Sequence, residues 1–141
     1  MRRGFSLLEL VLVLAVVGLL FGIALPRFAG AVDHIEVESA ANHLMAAHQR
    51  ARIMAVTRSQ VLVLTIQADS LIIRPRGQAS PLWAEIGPTA TGVTLEGPAR
   101  QFTFSPQGLT LGFSNATLRL SRGTASRTIV ISRLGRVRIV H

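Results

Sequence analysis

The sequence predicts an α+β fold, in which a long N-terminal α-helix packs on a C-terminal antiparallel β domain. Residues 5–25 form an almost unbroken apolar run, and residues 27–56 continue with apolar positions three and four apart, which is the helical period. After residue 57 the chain changes to short runs of branched residues separated by turns that contain Gly and Pro, a pattern typical of antiparallel strands. The length of 141 residues suits one domain of ordinary size.

Composition excludes several classes of protein. With 49% hydrophobic residues, the chain is too apolar to be disordered. The absence of cysteine excludes a disulfide framework, a thiolate zinc site and a cysteine nucleophile. Fifteen basic residues against seven acidic ones give a net charge of +8, which favours an anionic partner or an anionic membrane surface.

The first half of the predicted helix is long enough to cross a membrane. At about 1.5 Å per residue, residues 5–25 would span about 32 Å, the thickness of a hydrocarbon core. Ser6 and Glu9 are the polar residues of this run, and Arg2 and Arg3 precede it. Because basic flanks stay on the cytoplasmic side, the remainder of the chain is expected on the opposite side of the membrane.

Two ordinary explanations of this segment fit it poorly. A secretory signal peptide is suggested by the small residues at 29–31, but the apolar run exceeds the usual length of about 7–15 residues. A plain membrane anchor leaves Glu9 unexplained, since a carboxylate at the bilayer centre costs about 2.5–3.5 kcal/mol, although less near the end of a helix. An intramembrane acid therefore calls for a partner and a function.

Residues 4–10, GFSLLEL, resemble the processing site of type IV pilins and type II secretion pseudopilins. The resemblance implies that residues 1–4 are a leader, that a prepilin peptidase cuts after Gly4, and that Phe5 becomes the N-methylated terminus. It also implies that Glu9 serves filament assembly. The new cationic amine at Phe5 of one subunit would pair with Glu9 of its neighbour, because opposite charges attract strongly in a low-dielectric setting. Pro26 falls where these proteins often have a helix-bending proline.

The helix is expected in two parts, a transmembrane and filament-core part at residues 5–26 and an amphipathic part at residues 27–56. The second part has a stripe of mostly small apolar residues that we expect to pack on the globular domain. Its members are Val37, Ala40, Ala41, Leu44, Ala47, Ala51, Met54 and Ala55.

Residues 57–141 are expected to form the antiparallel β domain, which ends in a basic C-terminal hairpin. Residues 75–92 contain three Pro and three Gly and predict an irregular segment, with Trp83 as a plug for the small core. The predicted strands are Gln60–Ile66, Leu71–Arg74, Val93–Leu95, Gln101–Phe104, Thr117–Leu120, Thr128–Ile131 and Arg136–Val140.

Three segments of this half resemble the GspH/FimT family of type IV pilin-like proteins. They are ARIMAVTRSQVLVL at 51–64, QFTFSPQGLT at 101–110 and IVISRLGRVRI at 129–139. The family includes the minor pseudopilin H of type II secretion and the minor type IV pilin T. Together with the N-terminal motif, the resemblance covers most of the chain and is strongest to the pseudopilin.

No constellation of catalytic residues is visible in the sequence. His43 and His48 are five positions apart, so they point in different directions from a helix, and we expect solvated side chains rather than ligands. No Ser lies in a G-x-S-x-G turn and no phosphate-binding glycine loop is present. We therefore expect a protein that is not an enzyme and that uses no metal or cofactor.

The basic C-terminus is the one candidate binding element. In a strand, Arg136 and Arg138 project from the same face about 6.6 Å apart, at roughly 3.3 Å per residue. Planar guanidinium groups at this spacing suit successive phosphates. In minor pilins of the T type, a G-R-x-R element such as the one at residues 135–138 is associated with DNA binding. Arg133, Arg136 and Arg138 are thus candidates for contact with DNA or another anion. A solvated strand face, or pairing with an acidic neighbouring subunit, explains the same residues.

The resemblance implies a minor pseudopilin of the type II secretion system. Such a protein is a single-pass subunit of the bacterial inner membrane, with its C-terminal domain in the periplasm. Its partners would be other major and minor pseudopilins, the prepilin peptidase, the inner-membrane assembly platform, and the outer-membrane secretin or exported cargo. The alternative is a minor type IV pilin whose basic C-terminal hairpin binds DNA for uptake.

Overall fold

A computed structural model describes residues 6–112, 115–132 and 134–140, with the backbone alone at residues 26 and 29. Helix α1 spans Leu7–Thr57. Internal contacts divide the chain into two units, Met1–Val32 and Asp33–His141. The predicted leader cleavage and methylation positions, Gly4 and Phe5, lie outside the described residues.

The first unit is a helix whose apolar side chains are uncovered. Ser6 caps its start, because the Ser6 hydroxyl oxygen accepts a hydrogen bond of 3.1 Å from the Glu9 backbone N–H. The large side chains from Leu7 to Phe28 are exposed. By length and composition this helix can cross a membrane, and uncovered apolar surface of this extent marks a segment that belongs in lipid or against other helices.

The second unit begins with the remaining part of α1, which buries one stripe. Seven of the eight predicted stripe residues are buried and Met54 is partly buried, so the predicted amphipathic face is confirmed. The helix ends in a Schellman-type turn, in which the Gln60 N–H donates to the Ala55 carbonyl and the Ser59 N–H donates to the Val56 carbonyl. Ser59 has the positive φ of 50° that such a turn requires.

Two antiparallel sheets complete the second unit. One sheet has five strands in the order β3-β2-β1-β5-β6, and the other has four in the order β4-β7-β8-β9. The strands are β1 (Leu62–Ile66), β2 (Ser70–Pro75), β3 (Trp83–Ile86), β4 (Thr94–Glu96), β5 (Arg100–Phe104), β6 (Thr110–Leu111), β7 (Ala116–Arg122), β8 (Ala125–Ile131) and β9 (Val137–Val140).

One hydrophobic core joins the helix stripe to both sheets. The buried aliphatic residues alternate along β1, β2, β7 and β8, as expected when one face of a sheet is covered. Phe102 and Phe104 of β5 contribute the aromatic part of this core. The predicted α+β class, a long N-terminal helix packed on antiparallel sheets, is confirmed.

The predicted irregular segment at 75–92 contains more regular structure than expected. Residues Trp83–Ile86 form β3, which pairs with β2, and Pro88–Thr91 form a short 3₁₀ helix. The prediction missed β3 because it is an edge strand whose last three residues are exposed, so it shows no alternation of apolar and polar residues. Trp83 packs against the core but is only partly buried, and the Arg50 guanidinium carbon lies 5.1 Å from the centre of its ring.

Candidate functional site

The four-stranded sheet has one face toward the core and one face toward solvent, which we call the outer face. Buried side chains of β7 and β8, such as Leu118 and Ile129, point into the core. Because successive side chains of a strand point to opposite faces, the alternate residues form the outer face. The outer face comprises Thr94, Glu96, Thr117, Arg119, Ser121, Ser126, Thr128, Val130, Arg138 and Val140, with Arg136 just before β9.

Two arginines of the basic C-terminal half belong to the core-facing side. Arg122 Nε lies 3.0 Å from Asp33 Oδ1, and Arg127 Nε lies 2.7 Å from Glu38 Oε2. Arg122 also donates a hydrogen bond to the Thr91 carbonyl. Both guanidinium groups are therefore engaged with acids of α1, and their charge is largely neutralised within the second unit.

The remaining described arginines of this half are available on the surface. Arg119 and Arg138 stand on the outer face, Arg136 lies just before β9, and Arg100 lies at the rim of the face. Within residues 6–112, 115–132 and 134–140, none of these four forms an ion pair. The fold therefore separates these arginines from Arg122 and Arg127, which are paired with acids of α1.

The first of two depressions on the outer face brings together two of the three predicted anion-contact residues. Arg136 and Arg138 line a depression of about 410 Å³ together with Val130, Ser132 and Leu134. The third predicted residue, Arg133, lies outside the described residues. The β8–β9 turn is held by the Ser132 N–H, which donates to the Arg136 carbonyl at 2.9 Å, and by the Ser132 hydroxyl, which accepts from the Arg136 N–H at 3.1 Å.

A second depression, of about 500 Å³, lies across the same face. Its lining includes Arg100 and Arg119 together with Glu96. Strand register explains this grouping, because Glu96 is opposite Arg119 and Arg119 is opposite Thr128. The depression offers two cationic groups and one anionic group, so it presents a mixed rather than a uniformly positive surface.

The helix histidines match the prediction of solvated side chains only in part. His43 pairs with Glu85 of β3. His48 is 1% exposed, and its ring lies edge-on to Phe104 and Phe102 with centroids 5.0 and 5.7 Å away. The prediction was wrong for His48, although its position four residues after Leu44 in the apolar stripe was a visible signal.

Burial changes the protonation of His48. Neither ring nitrogen has a hydrogen-bond partner among the described residues. Desolvation lowers the pKa of His48 from 6.5 to about 4, and the positive charge of Arg52 acts in the same direction. His48 is therefore neutral at pH 7 and acts as a core residue. In the described part of the chain, no three side chains of His, Asp or Glu are grouped closely enough to hold a metal ion.

Comparison with known proteins gives concordant matches. The family described as Type II transport protein GspH matches residues 40–135, and the prokaryotic N-terminal methylation motif matches residues 1–25. The pilin-like protein PilA1 of Thermus thermophilus is 33% identical over 156 aligned positions, which cover 98% of each chain.

Solved structures show the same fold. The type IV minor pilin FimU of Pseudomonas aeruginosa PAO1, in its P21 crystal form, has a TM-score of 0.63 and 24% identity, and the match covers 75% of this chain and 89% of that chain. The P65 crystal form gives a TM-score of 0.59 with 74% and 92% covered. With its family match over more than half of its length, the chain belongs to the GspH family of type IV pilin-like minor pilins and pseudopilins.

Proposed function

We propose that this protein is a minor pseudopilin, a structural subunit of the periplasmic pseudopilus of a type II secretion system. The observation that carries the proposal is the GspH match over residues 40–135, joined in one chain to the N-terminal methylation motif. The uncovered apolar helix supports it, because a filament buries such surface between subunits.

Maturation begins at the N-terminus in this proposal. The prepilin peptidase cleaves between Gly4 and Phe5, and the new terminus at Phe5 is methylated. Before assembly, α1 anchors the subunit in the inner membrane, with the basic residues of the leader in the cytoplasm and the second unit in the periplasm. Extraction from the membrane into the filament exchanges lipid contacts for contacts with neighbouring helices.

Glu9 has a defined task in assembly. It stands in the first turn of α1, within a segment otherwise made of exposed apolar side chains. An uncompensated carboxylate is costly there, and the cationic amine at Phe5 of a neighbouring subunit would compensate it. The pair then sets the axial position of each subunit as it joins the other major and minor pseudopilins on the assembly platform.

The experiment that tests this function is a comparison of secreted proteins. A clean deletion strain, the deletion carrying the wild-type gene, and the parent are grown in parallel, and the proteins of medium and periplasm are quantified. We expect exported proteins to disappear from the medium and accumulate in the periplasm of the deletion strain, with restoration by the wild-type gene. An unchanged medium would overturn the secretion assignment.

A minor type IV pilin that binds DNA for uptake is the second candidate. It is favoured by the placement of Arg136 and Arg138 at one depression, and the relatives named above are a pilin-like protein and a minor pilin. In this alternative Arg133, Arg136 and Arg138 contact phosphates, so binding is insensitive to sequence and falls steeply with salt. Loss of transformation in the deletion strain, with normal secretion, would select this alternative.

A further inference from the structure

We propose that the outer face docks an extended segment of a neighbouring filament subunit, and that this segment carries both carboxylates and apolar side chains. The inference deepens the proposed function and rests on the chain's being a filament subunit. It identifies the surface that holds the neighbour and the chemistry that the neighbour must present.

Two valines form an apolar pair on the β8–β9 side of the outer face, which we call the apolar centre. Val130 of β8 is 38% exposed and Val140 of β9 is 40% exposed. They belong to neighbouring strands and are diagonal to each other, since Val140 is opposite Thr128 and Val130 is opposite Arg138. The two valine side chains therefore stand on the same face, with Arg138 and Thr128 as their direct cross-strand neighbours. Leu134, at 85% exposure, extends the apolar surface into the first depression.

Cations flank this apolar centre on two sides. Arg136 and Arg138 lie on the β9 side, at the first depression. Arg119 and Arg100 lie on the β7 side, at the second depression. From a strand spacing of about 4.8 Å and a rise of about 3.3 Å per residue, the backbones of Arg138 and Arg119 are about 12 Å apart. Such a distance matches carboxylates four residues apart on one face of an extended segment.

Nucleic acid fits this surface less well than a protein segment does. A phosphate backbone has no group that gains from covering Val130, Val140 and Leu134. Glu96 stands directly opposite Arg119 and repels a polyanion, but it accepts a hydrogen bond from a backbone N–H or a hydroxyl of a peptide. An apolar centre with a charged rim is the usual anatomy of a protein interface.

The test measures peptide binding to the full chain in a neutral detergent by fluorescence anisotropy. Three labelled probes are compared: a ten-residue peptide of repeating Glu-Ser-Val-Ser (the Glu–Val peptide), whose Glu and Val side chains alternate on one face when it is extended, the same peptide with Ser in place of Val (the Glu–Ser peptide), and a short DNA duplex. We expect the Glu–Val peptide to bind about tenfold more tightly than the other two probes, because it alone satisfies both the guanidinium groups and the apolar centre. Equal binding of all three probes, or no binding, would overturn the proposal.

Variants locate the site. The double variant Arg136→Gln/Arg138→Gln should weaken Glu–Val binding about tenfold. The matched control Arg58→Gln/Arg76→Gln removes the same charge from exposed positions outside the outer face and should change binding less than about twofold. Val130→Thr should bring the Glu–Val peptide to the affinity of the Glu–Ser peptide. Equal losses in both double variants, or an unchanged affinity with Val130→Thr, would contradict docking at this face.

The binding measurement and the secretion experiment fail independently. If secretion depends on the protein but the outer-face variants bind the Glu–Val peptide normally, the docking surface is wrong and the proposed function stands. If secretion is unaffected by deletion but the peptide binds as expected, the secretion assignment is wrong and the chemistry of the surface stands. Circular dichroism melts of each variant should show that the fold is retained, since all substituted positions are exposed.

Discussion

Glu38 of α1 and Arg127 of β8 are 89 positions apart in the chain, and Arg127 Nε donates a hydrogen bond of 2.7 Å to Glu38 Oε2. Asp33 and Arg122 repeat this arrangement at 3.0 Å. The two pairs fasten the β7–β8 hairpin to the helix that it covers. They also separate the arginines of the C-terminal half into two groups. Arg122 and Arg127 are paired with acids of α1, so their charge adds little to the positive charge of the surface.

The Glu38–Arg127 pair is expected to contribute modestly to stability. The Arg127 side chain is 18% exposed and that of Glu38 is 42% exposed, so water screens the pair in part. A double-mutant cycle with Glu38→Gln and Arg127→Met should give a coupling free energy of about 0.5–1.5 kcal/mol in urea unfolding. The control Arg119→Met, on the outer face, should change stability by less than about 0.5 kcal/mol. A coupling of zero would mean that the pair is not formed in solution.

His48 should make the stability of the fold depend on pH. The pKa of His48 is about 4 in the folded protein, against an ordinary value of 6.5. Between pH 4 and pH 6.5 the unfolded chain therefore binds more protons than the folded protein does. The free energy of unfolding therefore falls as pH is lowered from about 6.5 to about 4, by up to about 3 kcal/mol from this residue. Above pH 6.5 the residue contributes no pH dependence.

The variant His48→Leu isolates this effect. Subtracting its unfolding free energy from that of the wild type at each pH removes the contribution of the carboxylates and the other histidines, which are common to both. The difference should shift in favour of the variant as pH falls from 6.5 to 4. A difference that is constant over this range would show that His48 is not buried in its neutral form.

Gly87 is required by close packing. A Cβ at this position would lie 2.5 Å from the Ala68 carbonyl oxygen and 2.6 Å from the Ser70 backbone nitrogen, and neither backbone atom can move without disturbing the β1–β2 turn. Gly87→Ala should lower the free energy of unfolding by about 1–3 kcal/mol. The control Thr89→Ser keeps the hydroxyl that bonds the Ala68 carbonyl and should be nearly neutral. A stable Gly87→Ala protein would contradict this packing.

Glu9 should be needed for assembly but not for processing. Glu9→Gln keeps the size of the side chain and removes the charge that would pair with the Phe5 amine of a neighbour. Mass spectrometry of the N-terminus should find normal cleavage and methylation, while co-purification with other filament subunits should be lost. Normal co-purification would show that the charge does not set the register.

The sequence predicted the helix, its buried stripe and most strands because these depend on local periodicity. It missed β6, which has two residues. It also missed β3, an edge strand in which apolar and polar residues do not alternate. For the candidate site, strand alternation alone placed Arg136 and Arg138 together. The engagement of Arg127 by Glu38 was not predictable, because contacts across 89 positions depend on how the sheet meets the helix. The apolar centre of the outer face likewise required the pairing of β8 with β9.

The most direct test of the central claim is the distribution of exported proteins between medium and periplasm in the deletion strain carrying Glu9→Gln. If the protein is a pseudopilin of the secretion system, exported proteins should remain in the periplasm as they do in the deletion strain, although the variant is processed normally. If the medium instead matches that of the wild type while transformation falls, the protein serves a DNA-uptake pilus and the secretion account is wrong.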